Sequence, residues 1–351
     1  MTAAPQLFDR ALLRARLDRA APGFDAAGFL KARAAEDAVL RLEAILREFP
    51  VAVDLGSRNG AFSRALEGSD ARAKVGLLIE TDLSARMLAQ DSSEGRRGAR
   101  IVADEERLPF GDATIDLLVS TLALHWTNDL VGALIQVRRA LKPDGLFVGA
   151  LFGGATLTEL RQALLAAEDE ITGGAFPRVS PFADTVDAAG LLQRAGFALP
   201  VADKDRVKVR YAHPIALLKD LRAMGETSVL IDRSRKPLGR KVLLRAMEIY
   251  QDRFAEPDGR VPATFEIITV TGWAPHERQQ KPLRPGSAKM RLADALGTVE
   301  QPEGDKAGGQ GSGQITVVIP AAAKRRAGIQ ETAPTRRGSP RSQTSAARFP
   351  G

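Results

Sequence analysis

The sequence predicts an α/β fold in which a doubly wound, mostly parallel sheet of seven strands carries helices on both faces. Short apolar runs alternate with stretches of helical periodicity, and each run is apolar at consecutive positions. Such runs are typical of strands buried on both sides, as in a parallel sheet covered by helices. The five clearest runs are 51–55, 77–82, 101–104, 115–120 and 146–152.

A mainly helical region over 155–255 follows the fifth strand and is expected to cover the sheet. The helices predicted there are 156–171, 185–195, 214–225 and 237–254. Two further strands, 206–211 and 264–273, bring the sheet to seven. Residues 1–276 are therefore predicted to form one domain.

Charge is distributed unevenly along the chain. Residues 275–351 contain 13 Lys or Arg and 6 Asp or Glu, which accounts for the whole formal net charge of +7. This region has too little apolar surface to offset the entropy lost on ordering, so 277–351 is predicted to be a disordered basic tail. A solvated linker explains its basic clusters, and transient contact of the tail with RNA or anionic lipid is the alternative.

The composition excludes several classes of protein. Cysteine is absent, which rules out a disulfide scaffold, thiolate-bound zinc, iron–sulfur clusters and a cysteine nucleophile. No apolar run approaches the roughly 20 residues that cross a bilayer, so stable membrane insertion is not expected. The three histidines, His125, His213 and His276, show no pattern of metal ligands, and no metal site is predicted.

The first helical segment raises the question of an organelle presequence. Arginines and leucines between residues 10 and 19 look amphipathic, but Asp9 and Asp18 interrupt the pattern. Helical periodicity then resumes over 29–49. We therefore predict that this segment is a helix of the domain and that the protein is cytoplasmic.

The strongest functional signal is the turn after the first predicted strand. Asp54 lies near the end of that strand, and Gly56 and Gly60 frame the turn into a helix. Glycines let the backbone approach a ligand closely, and the free amide groups at a helix start face that ligand. Asp82 ends the second strand, 22 residues after Gly60, at the spacing expected of a carboxylate that binds ribose hydroxyls. Ordinary turn glycines are the alternative interpretation.

Further candidates follow the carboxyl ends of the other strands. Asp104 and Glu105 follow the third strand, where a carboxylate would lie near the base of a nucleotide or cap a helix. Leu83 and Ser120 are predicted to line the same cofactor site. His125 follows the fourth strand, over the crevice in which open α/β sheets bind ligands, and is the candidate catalytic residue. Packing against the adjacent tryptophan is the alternative role for this histidine.

These motifs resemble those of class I S-adenosylmethionine-dependent methyltransferases, which have a Rossmann-like fold. The motifs that carry the resemblance are Val53-Asp54-Leu55-Gly56, Asp82, Ala103-Asp104 and Leu141-Lys142-Pro143-Asp144-Gly145. The resemblance implies S-adenosylmethionine as the cofactor, with Asp82 on the ribose, Asp104 near the adenine, and Gly56 and Gly60 along the methionine. Methyl transfer then requires that the nucleophile is aligned with the sulfonium methyl and that water is excluded. His125 would orient or deprotonate that nucleophile.

A second, more selective resemblance covers nearly all of 6–276. It is to the mitochondrial complex I assembly factor 5 group, and it rests on Gln6-Leu7-Phe8-Asp9-Arg10, 103–110, 124–130, 152–157, Ser180-Pro181-Phe182, Met224-Gly225-Glu226 and 261–273. That group is understood as an arginine hydroxylase acting on a subunit of complex I, the respiratory NADH–quinone oxidoreductase. The implied partner is therefore a protein substrate from this complex. More distant relatives methylate the carboxylate of malonyl-acyl carrier protein.

One residue departs from the resemblance. Arg58 stands where a glycine is usual between Gly56 and Gly60, and its side chain would either point to solvent or partly occupy the cofactor loop. The residues favour an S-adenosylmethionine-dependent methyltransferase, whereas the second resemblance favours modification of a protein arginine in complex I assembly. O-methylation of malonyl-acyl carrier protein or a small molecule, and a non-catalytic assembly chaperone, are the alternatives.

Overall fold

A seven-stranded sheet organises the computed structural model, which describes residues 6–90, 98–182, 185–233 and 238–279. The strands are β1 Phe49–Leu55, β2 Val75–Asp82, β3 Ala99–Val102, β4 Ile115–Thr121, β5 Leu141–Phe152, β6 Ala198–Tyr211 and β7 Val261–Trp273. All but the first three residues of the predicted tail, 277–351, lie outside the described residues.

The sheet has the order β3-β2-β1-β4-β5-β7-β6. Strands β1 to β5 pair in parallel, and β7 inserts antiparallel between β5 and the edge strand β6. The chain order reverses between β1 and β4, which is where open α/β sheets form a ligand crevice beyond the strands' carboxyl ends. This arrangement confirms the predicted Rossmann-like, doubly wound, mostly parallel sheet of seven strands.

Helices cover both faces of the sheet. They are α1 Arg10–Ala20, α2 Phe24–Ala27, α3 Phe29–Glu43, α4 Ala61–Glu67, α5 Ala85–Gln90, α6 Leu130–Ala140, α7 Thr158–Thr172, α8 Thr185–Arg194, α9 Pro214–Ala223 and α10 Arg240–Phe254. Neighbouring strand residues point to opposite faces. Ala52 and Leu117 accordingly pack in the core under α3 and α4, and Val53 and Leu118 pack in the core under α6.

The cover predicted over 155–255 divides between two parts of the structure. Helices α7, α9 and α10 share a core with Phe152, Tyr250 and Phe265 at the end of the sheet that carries the crevice. Helix α8 instead packs with α6 beneath the sheet. Strand β6 also lies in this region of the chain, where it pairs antiparallel with β7.

Residues 142–145 lie near the start of strand β5. The strand begins at Leu141, and its register with β4 shifts in this region, between Ile115 and Leu117 of β4. The left-handed residue is Asp144, at φ 64°, and its amide donates to Ala274 O at 3.0 Å. Gly145 is needed for close packing instead, since a Cβ there would lie 2.9 Å from Lys142 O.

No helix within the described ranges is both long enough and apolar enough to cross a bilayer. Helix α1, which has the arginine-rich and leucine-rich pattern of a presequence, is instead part of the domain: Leu13 and Leu17 are buried in a core with Phe8, Phe24 and Trp126. Asp9 caps this helix by accepting from Leu12 N at 2.9 Å.

Candidate cofactor and substrate site

The glycine turn after β1 is fixed by the end of β2. The amides of Gly56 and Ser57 both donate to Thr81 O, at 2.9 and 2.8 Å. Gly56 has φ 74°, and a Cβ on it would overlap the Cβ of Ala123. Gly60 has φ 72° and precedes α4 as its N-cap. Glycine at the first position is therefore dictated both by its left-handed backbone and by the close approach of the loop after β4.

Asp82 lies at the carboxyl end of β2 and is fully buried. Its Oδ2 accepts from the amide of Arg58 at 2.9 Å and from Arg58 Nη1 at 2.8 Å, and its Oδ1 accepts from Ser84 N at 2.8 Å. The carboxylate predicted to bind ribose therefore already has three donors from the chain itself.

Arg58 points into the site and not to solvent. Its side chain is only 2% exposed, and its backbone adopts φ 54°. Burial by itself lowers the pKa of Arg58, but the charges of Asp82, Glu105 and Glu226 outweigh burial and raise that pKa. The guanidinium is thus a permanent charge inside the cofactor turn.

Lys31, on α3, is a second buried cation at this rim and was missed in the sequence. Its Nζ donates to Gly56 O at 2.6 Å and also to Thr121 O. Burial lowers its pKa to about 8, against the opposing attraction of Asp54. The available signal was a lone lysine on a helix face that is otherwise apolar, together with Ala34 and Ala38.

The structure places the other predicted residues near β1 and β4 as follows. Asp54 is fully buried in β1, in register with Val119 of β4. The hydroxyl of Ser120 donates to Leu55 O at 2.8 Å and so links these two strands. Leu83 is partly buried and packs against the core that contains α1. Asp54 therefore lies beside the turn, whereas Ser120 and Leu83 contact the surrounding framework.

Asp104 and Glu105 are held by an arginine from the start of the chain. Arg10 Nη2 donates to Asp104 Oδ1 at 2.6 Å and also to Glu105. Glu105 is buried, and its Oε1 lies 3.9 Å from Arg58 Nη1, whereas the side chain of Asp104 is 31% exposed. Glu105 therefore joins Asp82 around Arg58, and Asp104 lies at the outer side of this cluster.

His125 lies in the turn after β4 and pairs with a carboxylate from the cover. Its Nε2 is 3.1 Å from Glu226 Oε2, and Trp126 Nε1 donates to the same oxygen at 3.0 Å. The His125 ring also packs on Phe152, with 4.8 Å between ring centroids. Its buried Nδ1 has no hydrogen-bond partner among the described residues. This side chain therefore packs against aromatic rings and also makes a polar contact at the crevice, and its catalytic role stays a prediction.

Two cavities meet at Glu226. The larger has a volume of about 300 Å³. Its walls are mainly apolar and include Trp126, Phe152, Leu160, Phe182, Leu221 and Phe265. The smaller, of about 20 Å³, lies among Lys31, Arg58, Phe152 and Glu226. The carboxylate of Glu226 is therefore shared between the cofactor rim and the larger cavity.

Known proteins are similar to this chain in one domain and over most of its length. The family described as "Methyltransferase domain" matches residues 53–149, a range that begins within β1 and ends within β5. A zebrafish (Danio rerio) protein named "Arginine-hydroxylase NDUFAF5, mitochondrial" is 38% identical over 82% of this chain and 89% of its own length. A Methylovorus "Malonyl-[acyl-carrier protein] O-methyltransferase" is 34% identical over 80% of this chain and 95% of its own length.

A solved structure of a putative methyltransferase from Bacillus halodurans aligns with a TM-score of 0.48 and 15% identity, over 69% of this chain and 99% of that one.

The prediction of a cytoplasmic location is wrong. The zebrafish, mouse and human relatives of the same name are all mitochondrial proteins. An amphipathic N-terminal helix that is packed in the domain says nothing about the compartment in which the domain works.

S-adenosylmethionine is the cofactor of this methyltransferase domain. The residues present are of the types that bind this cofactor. A glycine that allows close approach of the backbone, the start of helix α4 and a buried carboxylate at the end of β2 lie along the same edge of the sheet. When bound, the cofactor supplies an electrophilic methyl group on a sulfonium. The carboxylate at the end of β2 is Asp82, which Arg58 already contacts.

The identity over most of the chain and the matching domain together place this protein: it belongs to the NDUFAF5 family of methyltransferase-domain proteins.

Proposed function

We propose that this protein is an S-adenosylmethionine-dependent enzyme of methyltransferase fold that modifies an arginine side chain of a protein substrate during assembly of respiratory complex I. The observation that carries the proposal is the Glu226 carboxylate, which lies where the two cavities meet. The resemblance to the complex I assembly group and the name arginine-hydroxylase carried by the relatives support it.

The larger cavity has the chemistry that an arginine side chain needs. Its walls, including Phe152 and Leu160, suit the aliphatic stem, and Glu226 supplies a carboxylate for the guanidinium. The two donors that Glu226 already accepts, from His125 and Trp126, use one of its oxygens, Oε2. A guanidinium held there would lie at the boundary with the cofactor rim.

On the cofactor side we assign roles to the predicted residues. Asp82 holds the ribose hydroxyls once Arg58 has left, Gly56 and Gly60 line the methionine part, and Glu105 lies on the adenine side. Asp54, Leu83, Asp104 and Ser120 support this rim as neighbours. His125 orients the substrate nitrogen or takes its proton, with its ring fixed by Glu226.

The product mass decides the reaction type. Methyl transfer uses the cofactor of the domain, whereas hydroxylation, the activity in the relatives' name, also consumes an oxidant. Peptides of respiratory complex I subunits from wild-type and gene-deletion cells should differ by one methylene or one oxygen on arginine. Identical peptide masses and unchanged complex I assembly in the deletion strain would refute the proposal.

A second candidate is O-methylation of a carboxylate, as in malonyl-acyl carrier protein. Arg178 and Arg222 line the larger cavity and could hold an acidic substrate, and the Methylovorus relative carries that activity in its name. Arg178 is already paired with Glu168 at 2.5 Å, which leaves Arg222 as the better anchor.

Two variants distinguish these substrates. Glu226→Gln should abolish modification of arginine and spare a malonyl substrate, whereas Arg222→Ala should have the opposite effect. Glu36→Gln, an exposed carboxylate on α3, is the control for a lost charge. Each purified variant is assayed with an arginine peptide and with malonyl-acyl carrier protein.

A further inference from the structure

Two cations of the chain hold the polar atoms of the cofactor rim. Arg58 Nη1 lies 2.8 Å from Asp82 Oδ2, and Lys31 Nζ donates to Gly56 O and Thr121 O. The remaining cavity beside them is about 20 Å³, room for a water molecule and far less than a nucleoside requires. A cofactor that uses these atoms must therefore displace side chains already bound to them.

The buried position of Arg58 combines an unfavourable backbone conformation with an unpaired side-chain nitrogen. Its backbone has φ 54°, a conformation that costs an ordinary side chain free energy. Its buried Nη2 has no hydrogen-bond partner within the described residues, although a guanidinium offers five donors. The unpartnered Nη2 lowers the cost of moving the side chain out, because the side chain gives up fewer hydrogen bonds when it leaves.

We infer that Arg58 is an internal occupant of the ribose site, so that cofactor binding is an exchange in which Arg58 leaves Asp82. The sulfonium and ammonium groups make S-adenosylmethionine cationic, as are the side chains at this rim. The apparent affinity is the intrinsic affinity multiplied by the fraction of molecules in which Arg58 has swung away. The carboxylate then exchanges one cation for the ribose hydroxyls, and the guanidinium returns to water.

Calorimetric titration of the full chain with S-adenosylmethionine tests this exchange. Arg58→Gly and Arg58→Asn remove the occupant and suit the left-handed backbone. Both should bind about tenfold more tightly than the wild type, the factor expected if Arg58 occupies the site nine-tenths of the time. Arg86→Ala is the control: it removes an exposed cation on α5 that forms no ion pair in the described part of the chain, and it should leave affinity unchanged.

A second readout covers the case in which a variant folds poorly. Removal of Arg58 leaves Asp82 buried without its cation, so the melting temperature without ligand should fall and the increase on adding cofactor should grow.

Two results would overturn the inference. They are unchanged or weaker affinity in folded Arg58 variants, and a wild-type complex with S-adenosylhomocysteine in which Arg58 still contacts Asp82.

Discussion

His125 and Glu226 form a polar pair across the crevice, with Nε2 and Oε2 3.1 Å apart although 101 positions separate them along the chain. Helix α9 ends at Ala223, and Gly225, at φ 77°, turns the chain so that the next residue faces the loop after β4. The pair thus couples the sheet, which holds the cofactor rim, to the cover, which forms the larger cavity.

If the pair acts as a unit, its two members should not contribute independently. His125→Gln is expected to lower the rate of substrate modification by about 100-fold, the lower range for a positioned acid or base. Adding Glu226→Gln should then cost less than it does alone, because the positioning of His125 is already lost and only the contact with the substrate guanidinium remains to be removed. Steady-state rates of the two single variants and the double variant measure this coupling. His276→Gln is the control, and fully additive losses would contradict the paired role.

Burial of Lys31 should make stability depend on pH. Its pKa is lowered from 10.5 to about 8 in the folded protein, so the unfolded chain binds more protons between these values. The free energy of unfolding should therefore gain, from this group, up to about 3 kcal/mol as the pH rises from 8 to 10.5. Lys31→Met should lack this gain in urea titrations at several pH values. Parallel pH profiles for the two proteins would contradict the prediction.

Arg10 should stabilise the fold through the carboxylates that it pairs with. Arg10→Met removes the cation that pairs with the buried carboxylate of Glu105, and it should cost about 3 kcal/mol of unfolding free energy. Arg33→Met is the matched control, because its partner Asp205 is half-exposed at 2.7 Å and such pairs contribute under about 1 kcal/mol. Urea denaturation of both variants gives the comparison. Equal losses of unfolding free energy in the two variants would contradict the prediction, because the ion pairs of Arg10 would then contribute no more than an exposed pair.

Two glycines with nearly the same backbone separate strain from crowding. Gly56 has φ 74° and Gly173 has φ 71°, but a Cβ on Gly173 would meet nothing within 4 Å. Gly173→Ala should cost about 1–2 kcal/mol for its backbone alone. Gly56→Ala should cost a further ~1–3 kcal/mol, because its Cβ overlaps Ala123. Chemical denaturation measures the unfolding free energy of both variants. Equal costs would contradict the prediction, because they would mean that the loop after β4 moves away from the added Cβ at little cost.

The sequence alone determined the frame of the site. Consecutive apolar residues identified the buried parallel strands, and Gly56 and Asp82 marked the ends of β1 and β2. These signals are local. A parallel strand that is buried on both faces needs apolar residues at consecutive positions, and a turn with a left-handed backbone favours glycine. The bounds of the strands depend on pairing as well as on local sequence. Strand β6 begins at Ala198, eight residues before the predicted start, because pairing with β7 overrides its polar, exposed sequence.

Only the tertiary structure decided what lies inside the site. Arg10, Lys31 and Glu226 reach it from α1, α3 and the turn after α9, and they contact Glu105, Gly56 and His125, which are 25 to 101 positions away along the chain. The direction of Arg58 was likewise open, since its sequence position permits either solvent or the cofactor turn. A buried cation goes where carboxylates and carbonyls offset its desolvation, and no periodicity along the chain reports where such groups meet.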